Sequence, residues 1–213
     1  MRKLLVWLLT FILIFMSTSM IGCGKKGPVK PPEKSAVLIP PDKATNYAGD
    51  WELPVVMNGG DFGIGETVKL SDLLAREDVK LVMVDFWATW CEPCKEEMPF
   101  LQEIYEANKD KGLVPLVITI DANAGLEPAI KKAVEKMKWR KAGPGHKAGD
   151  PITITYPIPW DLKSEVKNAY GIGAIPVTFL IDKKGIIRYQ HSSFTEELIE
   201  ELKVAVDKLL AEP

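Results

Sequence analysis

The stretch "VDFWATWCEPCKEEMPFL", residues 84–101 of this 213-residue chain, contains two cysteines separated by two residues. The cysteines are Cys91 and Cys94, and Glu92 and Pro93 lie between them. A pair with this spacing suits three uses, which are two ligands of a metal site, a structural disulfide, or a redox couple. The segments before and after the pair distinguish these uses.

A metal site is disfavoured because a structural zinc ion takes four ligands, of which the pair supplies two. The chain has two histidines, His146 in a glycine-containing loop and His191 at the end of a predicted strand. Neither has zinc-finger spacing, so we expect no metal. A structural disulfide is disfavoured as well, since one that closes so short a loop constrains the unfolded chain little.

A redox couple fits the flanking sequence. Residues 79–87, "VKLVMVDFW", are almost all apolar, as in a strand buried on both faces. A helix is predicted over 92–109, which places Cys91 where free N–H groups and the helix dipole favour a thiolate. Pro93 suits the first helical turn. We therefore expect Cys91 to attack a disulfide and Cys94, inside the helix, to resolve the mixed disulfide.

Two acids near the cysteines are candidates for catalysis. Asp85 lies in an otherwise apolar strand, where a carboxyl group is costly unless it has a role. Glu97 follows Cys94 by three residues, on the same helix face. It either lines the site or is one of three solvated acids with Glu92 and Glu96. Acids raise a thiol pKa and disfavour the thiolate, whereas a strong oxidant stabilises its thiolate, so the couple is predicted to be a reductant.

The remaining periodicity predicts an α/β sandwich with a mixed sheet. "WELPVVMNGGDFGIGETVKL" predicts two short strands around a glycine-rich turn, followed by a short helix capped by Ser71. "LVPLVITID" predicts a second buried strand, and "PVTFLID" and "IIRYQHS" a strand pair that turns at Lys184–Gly185. A helix with an apolar stripe closes the chain, and Ser193–Glu196 predicts its capping box. The polar loop over 140–155 is longer than a compact domain usually carries.

The amino terminus indicates export and anchoring. Residues 1–22 contain two basic residues, the apolar run "LLVWLLTFILIFM" and small residues, which is the pattern of a signal peptide. The signal ends in "MIGC", which resembles a bacterial lipobox and would leave Cys23 lipidated. The alternative is an uncleaved anchor over 4–21, about long enough to span a bilayer. The prolines within residues 23–50 predict an extended tether. Residues 51–213 are predicted to form the folded domain. We expect an extracytoplasmic domain tied to a membrane, where thiols tend to be oxidised.

"DFWATWCEPC", "GIGAIPVTFLID" and the anchor together resemble the TlpA/ResA-like family of membrane-tethered thiol-disulfide oxidoreductases. The resemblance covers about 51–210. It implies a thioredoxin-like sandwich, with a mixed central sheet flanked by helices and an added N-terminal β-hairpin. It also implies that Asp85 is the proton acceptor for Cys94 and that Glu97 lines the active-site groove.

The resemblance further implies a substrate-binding surface around the disulfide. Ile175–Pro176 would be a cis bond facing the disulfide, and the backbone of Ile175 would pair with an extended substrate chain. Trp90, Glu92 and Pro93 would contact the same substrate. Trp87 is expected to pack in the core. Tyr156, Pro159 and Trp160 are further candidates for the groove wall.

The function implied by the resemblance is reduction of the CxxCH disulfide of apocytochrome c before haem attachment. The electron donor would be a membrane protein that carries thiol reducing power, and no cofactor beyond the Cys91–Cys94 disulfide is expected. The net charge of −2, with both signs mixed, gives no sign of a nucleic-acid partner. Three alternatives stay open: a general periplasmic disulfide reductase or isomerase, a thiol peroxidase, and a non-enzymatic binding lipoprotein. The peroxidase is disfavoured because the chain lacks Pro-x-x-x-Thr-x-x-Cys.

Overall fold

Strands and helices alternate along most of the chain, as the sequence pattern predicts. The structure, a computed structural model, describes residues 37–38, 47–139, 142 and 145–213. The predicted signal peptide, Cys23 and most of the tether lie outside these residues. The described strands are β1 (Val37–Leu38), β2 (Glu52–Met57), β3 (Thr67–Lys69), β4 (Leu81–Trp87), β5 (Leu113–Thr119), β6 (Ile158–Pro159), β7 (Val177–Asp182) and β8 (Ile187–Ser192). The described α-helices are α1 (Leu70–Ala75), α2 (Glu92–Asn108), α3 (Glu127–Glu135), α4 (Glu165–Ala169) and α5 (Glu196–Leu210).

The central sheet has the strand order β1-β8-β7-β4-β5. Strand β4 runs parallel to β5 and antiparallel to β7, so the sheet is mixed. Every residue of β4 and β5 is buried, because both faces of these strands are covered. On one face Asp85 meets Glu97 of α2, and on the other Phe86 packs against Tyr170 at the end of α4. This is the expected thioredoxin-like arrangement of helices around a mixed sheet.

The added N-terminal hairpin is present and forms a second sheet with the order β3-β2-β6. Strand β6 also lies beside the edge of the central sheet, where Asp161 N–H donates to the Thr119 carbonyl at 2.9 Å. The hairpin turn depends on Gly59, since a Cβ atom there would collide with the carbonyl oxygen of Gly65. The hairpin therefore extends the central sheet through β6.

The helix caps differ from those expected. Lys69, not Ser71, is the N-cap of α1, and the Ser71 N–H and hydroxyl both donate to the carboxylate of Asp50 at 3.0 Å. Asp50, which lies outside the helix, thus provides the hydrogen-bond acceptor that a capping side chain would otherwise provide. At α5 the N-cap is Thr195, whose side chain accepts an N–H from the first turn, so the predicted box over Ser193–Glu196 is wrong. Within the part of the chain that the structure describes, no helix is both long enough and apolar enough to cross a membrane.

Candidate active site

The two cysteines form a disulfide at the start of α2. Their sulfurs are bonded at 2.02 Å, and the side chains are buried, at 4% and 1% exposure. Cys91 is the N-cap of the helix in extended conformation, and its Sγ accepts the N–H of Cys94 at 3.3 Å. Pro93 lies in the first turn, as predicted. In the reduced protein the same N–H and the helix dipole would stabilise a Cys91 thiolate.

The two tryptophans before the disulfide have different environments. Trp87 ends β4 with no exposed surface, so it packs in the core as expected. Trp90 is 66% exposed and directly precedes Cys91. Glu92 is exposed and forms an ion pair with Lys95 at 2.8 Å. The disulfide is therefore bordered by one exposed aromatic ring and one charged pair that an incoming chain can reach.

The proline predicted to face the disulfide follows a cis bond, Ile175–Pro176. Strand β7 begins at the next residue, Val177, which lies opposite Phe86 in the sheet. Cys91 follows the C-terminal end of β4, where Phe86 lies. The proline and the disulfide are therefore at the same end of these two neighbouring strands. Among the described residues none hydrogen-bonds the backbone of Ile175, which is half-buried. That backbone is available to pair with an extended chain.

Both candidate acids are fully buried and share one hydroxyl. Thr178 Oγ1 lies 2.9 Å from Asp85 Oδ1 and 3.2 Å from Glu97 Oε1. A threonine hydroxyl carries one proton and can donate to one of these oxygens at a time. Burial raises the pKa of Glu97 to about 8, and burial together with the charge of Glu97 raises the pKa of Asp85 well above its usual value. Glu97 is therefore mostly protonated at neutral pH, and the solvated-face interpretation of Glu97 is excluded.

His191, which the sequence suggested only as a possible metal ligand, completes this cluster. His191 Nε2 lies 3.0 Å from Glu97 Oε1, and the Tyr189 hydroxyl lies 3.2 Å from His191 Nδ1. Burial lowers the pKa of His191 to about 4, so the ring is neutral. A neutral imidazole has one N–H, so one of its two nitrogens donates and the other accepts in these two contacts.

Sheet register explains why these groups meet. Asp85 of β4 lies opposite Thr178 of β7, and Thr178 lies opposite His191 of β8. Cross-strand partners project on the same face, which here faces Glu97 of α2. Only this register could have placed His191 beside Glu97. The register depends on the order of the strands in the sheet and not on local sequence.

Two buried oxygens of the cluster lack a hydrogen-bond partner among the described residues, Asp85 Oδ2 and Glu97 Oε2. A buried polar atom without a partner is costly, and proton transfer is one of the roles that accounts for it. Glu97 lies one helical turn beyond Cys94, so its carboxyl group shares a helix face with the resolving sulfur. The arrangement offers a protonatable oxygen on the inner side of the disulfide.

The prediction that residues near β6 form a wall of the substrate groove is wrong. Tyr156, Pro159 and Trp160 are all buried. The Tyr156 hydroxyl donates to the Met98 carbonyl at 3.1 Å, and Trp160 Nε1–H donates to the Asp121 carbonyl at 2.7 Å. Because their polar atoms are satisfied internally, these aromatic residues join the core rather than the surface.

The sulfurs of the two cysteines are bonded to each other. In residues 47–139, 142 and 145–213, no three His, Cys, Asp or Glu side chains are grouped so that they could hold a metal ion.

Comparisons with known proteins agree with the fold and indicate the family. The profile of the AhpC/TSA family matches residues 45–190. The thiol-disulfide oxidoreductase ResA of Oceanobacillus iheyensis is 37% identical over 121 residues, which are 57% of this chain and 52% of that protein. ResA of Bacillus thuringiensis subsp. konkukian is 31% identical over 138 residues, which are 64% of this chain and 67% of that protein. The chain thus spans about half to two thirds of the length of these curated relatives.

A solved secreted thiol-disulfide isomerase from Corynebacterium glutamicum superposes with a TM-score of 0.58 at 20% identity. The superposition covers 86% of this chain and 96% of that one. This likeness shows the fold, and fold and dithiol together define a thioredoxin-like α/β protein. The chain belongs to the AhpC/TSA family and, within it, to the ResA/TlpA-like proteins.

Proposed function

We propose that this protein is an extracytoplasmic, membrane-tethered thiol-disulfide oxidoreductase that reduces protein disulfides. The observation that carries the proposal is the Cys91–Cys94 disulfide at a helix N-terminus, together with the buried carboxyl groups of Asp85 and Glu97, whose pKa values burial raises. The ResA relatives bear the name thiol-disulfide oxidoreductase. No cofactor beyond the disulfide is needed for this chemistry.

The reaction begins with the reduced dithiol. The Cys91 thiolate attacks one sulfur of a client disulfide, forming a Cys91–client bond while the other client sulfur leaves and takes a proton. Cys94 then passes its proton to an ionised carboxylate of the Asp85–Glu97 pair; the pKa of Glu97, about 8, lies close to the usual value of a thiol. The Cys94 thiolate attacks Cys91 Sγ. The Cys91–Cys94 disulfide forms and the second client thiol leaves. Two electrons pass to the client, and a membrane dithiol protein restores them.

Substrate binding uses the surface around the disulfide. The free backbone of Ile175, next to Pro176, would pair with an extended client segment. The exposed Trp90 ring, Glu92 and the first turn at Pro93 would contact the same segment.

The reducing direction is supported by the charges near the cysteines. Glu92 lies between them, and Glu97, whose pKa is about 8, adds negative charge only to the extent that it ionises. Negative charge near a thiol opposes formation of the thiolate, which favours the oxidised form of the couple. A couple that favours its own oxidation gives electrons to its clients.

The client we propose is the CxxCH disulfide of apocytochrome c, as the resemblance to ResA-like proteins implies. A general disulfide reductase or isomerase would use the same site. Trapping distinguishes them, because Cys94→Ala leaves Cys91 unable to release a bound client. We expect the variant to accumulate a mixed disulfide with a CxxCH protein, and Cys91→Ala/Cys94→Ala to accumulate none. A broad set of trapped proteins without CxxCH would contradict the cytochrome assignment.

Anchoring by Cys23 is a second part of the proposal, and it is supported by the lipobox-like "MIGC" at the end of the signal. Cys23→Ser should abolish labelling by a radioactive fatty acid and release the domain from the membrane. Retention of the variant in the membrane with residues 1–22 intact would favour the uncleaved anchor.

A further inference from the structure

A groove lined by lysines starts beside the disulfide. It encloses about 680 Å³ and runs from Thr89 and Glu92, next to the cysteines, along α3 and the segment that follows it. We call it the lysine groove. Its rim carries Lys95, Lys132, Lys136 and Lys138, and its floor is made by Ala129, Ala133, Met137 and Trp139.

The rim concentrates positive charge in a chain whose net charge is −2. Lys132, Lys136 and Lys138 are exposed, and none of them forms an ion pair with a described residue. Lys95 pairs with Glu92 at 2.8 Å, so it holds that acid at the end of the groove nearest the disulfide. The rim therefore attracts anionic groups close to the reacting sulfurs.

The floor is apolar and held in place. Ile152 N–H donates to the Met137 carbonyl at 3.1 Å, and Trp139 N–H donates to the Asp150 carbonyl at 3.0 Å. The Trp139 ring stacks on His146, with ring centroids 3.6 Å apart. His146, Asp150 and Ile152 of the long polar loop thus contact the segment after α3 that lines the groove. Because the floor is already ordered, apolar side chains can bind to it without the entropy cost of ordering the floor.

We infer that the lysine groove docks an acidic, amphipathic segment of the protein whose disulfide Cys91 attacks. Carboxylates of that segment would meet Lys132, Lys136 and Lys138, and its apolar side chains would lie on Met137 and Trp139. Charge complementarity of this kind raises the rate of encounter and fixes the orientation of the partner. The inference rests on the proposed function, since it assigns a binding surface to the client of that reaction.

The first test uses the reduced wild-type protein and two synthetic peptides with the same internal disulfide. One peptide carries a flanking run of glutamates and leucines, and in the other the glutamates are lysines. We expect kcat/KM to be about tenfold or more higher for the acidic peptide at low salt. The preference should largely vanish at about 1 M salt, where the Debye length is only ~3 Å. Equal reduction of both peptides would overturn the groove while leaving the proposed function intact, whereas reduction of neither would overturn that function.

The second test reverses the rim charges with K132E/K136E/K138E. The matched control K80E/K184E/K208E changes the net charge equally at exposed lysines outside the groove, two of which flank the opposite end of β4. The rim variant should lose the preference for the acidic peptide, and the control should keep it. Similar losses in both variants would mean that overall charge acts, and would overturn the inference. An equally large loss of hydroxyethyl disulfide turnover in the rim variant would also overturn it, because the couple itself would then be damaged.

Discussion

Burial makes Glu97 a group that titrates near neutral pH, which links stability to pH. Its pKa is about 8 in the folded protein, against about 4.3 in an unfolded chain. The folded state therefore binds the extra proton between these values, and its stability declines as the pH rises. His191, with a pKa of about 4 against about 6.5 unfolded, acts in the opposite sense below pH 6.5. Asp85, whose pKa is raised by burial, acts in the same sense as Glu97.

The range between pH 6.5 and pH 8 therefore isolates the acids. We predict that the free energy of unfolding of the oxidised protein falls there by up to about 1.4 kcal/mol per pH unit on account of Glu97, and that Asp85 acts in the same direction. Urea denaturation followed by tryptophan fluorescence measures this slope. Glu97→Gln should make the slope shallower, and Glu106→Gln, an exposed change on the same helix, should leave it unaltered. Parallel slopes in the wild type and Glu97→Gln would contradict the raised pKa of Glu97.

Local sequence was sufficient for some residues of the site and insufficient for others. Cys91, Cys94 and Pro93 were predicted because helix-start chemistry is local. Thr178 and His191 could not be assigned, since they reach Glu97 only through the order and register of three strands. Burial of Glu97 was left open for the same reason, because the sequence gives the face of α2 but not what covers it.

At the scale of elements, α2 is the functional unit, because its first turns carry both sulfurs and the proton-holding acid. Its predicted bounds agree with the structure to within one residue. The caps of α1 and α5 were predicted less well. Asp50 reaches α1 from outside the helix, and at α5 two hydroxyl residues, Ser193 and Thr195, compete for the cap position. Such choices depend on backbone conformation that sequence spacing does not determine.

The charge at the first residue of α2 should set the redox poise. Glu92→Lys places a cation between the cysteines, which should lower the thiol pKa of Cys91 and move the reduction potential upward by tens of millivolts, since ~30 mV corresponds to a tenfold change in this equilibrium. Thiolate absorbance during a pH titration and equilibration with glutathione would measure the two effects. Glu106→Lys makes the same charge change on α2 about 21 Å along the helix axis and serves as the control. Equal shifts in both variants would show that the effect is not local.

At the scale of the whole molecule, the fold joins three features that lie far apart in sequence. The mixed sheet places the cis proline before β7 at the same strand ends as the disulfide of α2, and the lysine groove joins the start of α2 to the segment after α3. The sandwich, its hairpin and the strand pair at Lys184–Gly185 were predictable from periodicity and turn residues. The contacts that Asp150 and Ile152 make with Trp139 and Met137 were not predictable, because they have no periodic signature in the sequence.

The central claim is that Cys91 and Cys94 form a reducing couple. Its most direct test is equilibration of the purified protein with dithiothreitol redox buffers at about pH 7, followed by alkylation to count free thiols, with Cys91→Ser as the non-cycling control. We predict one two-electron transition with a midpoint near ~−270 mV, the value of thioredoxin. A midpoint above about −180 mV, or a disulfide that does not respond to the buffer, would contradict the account.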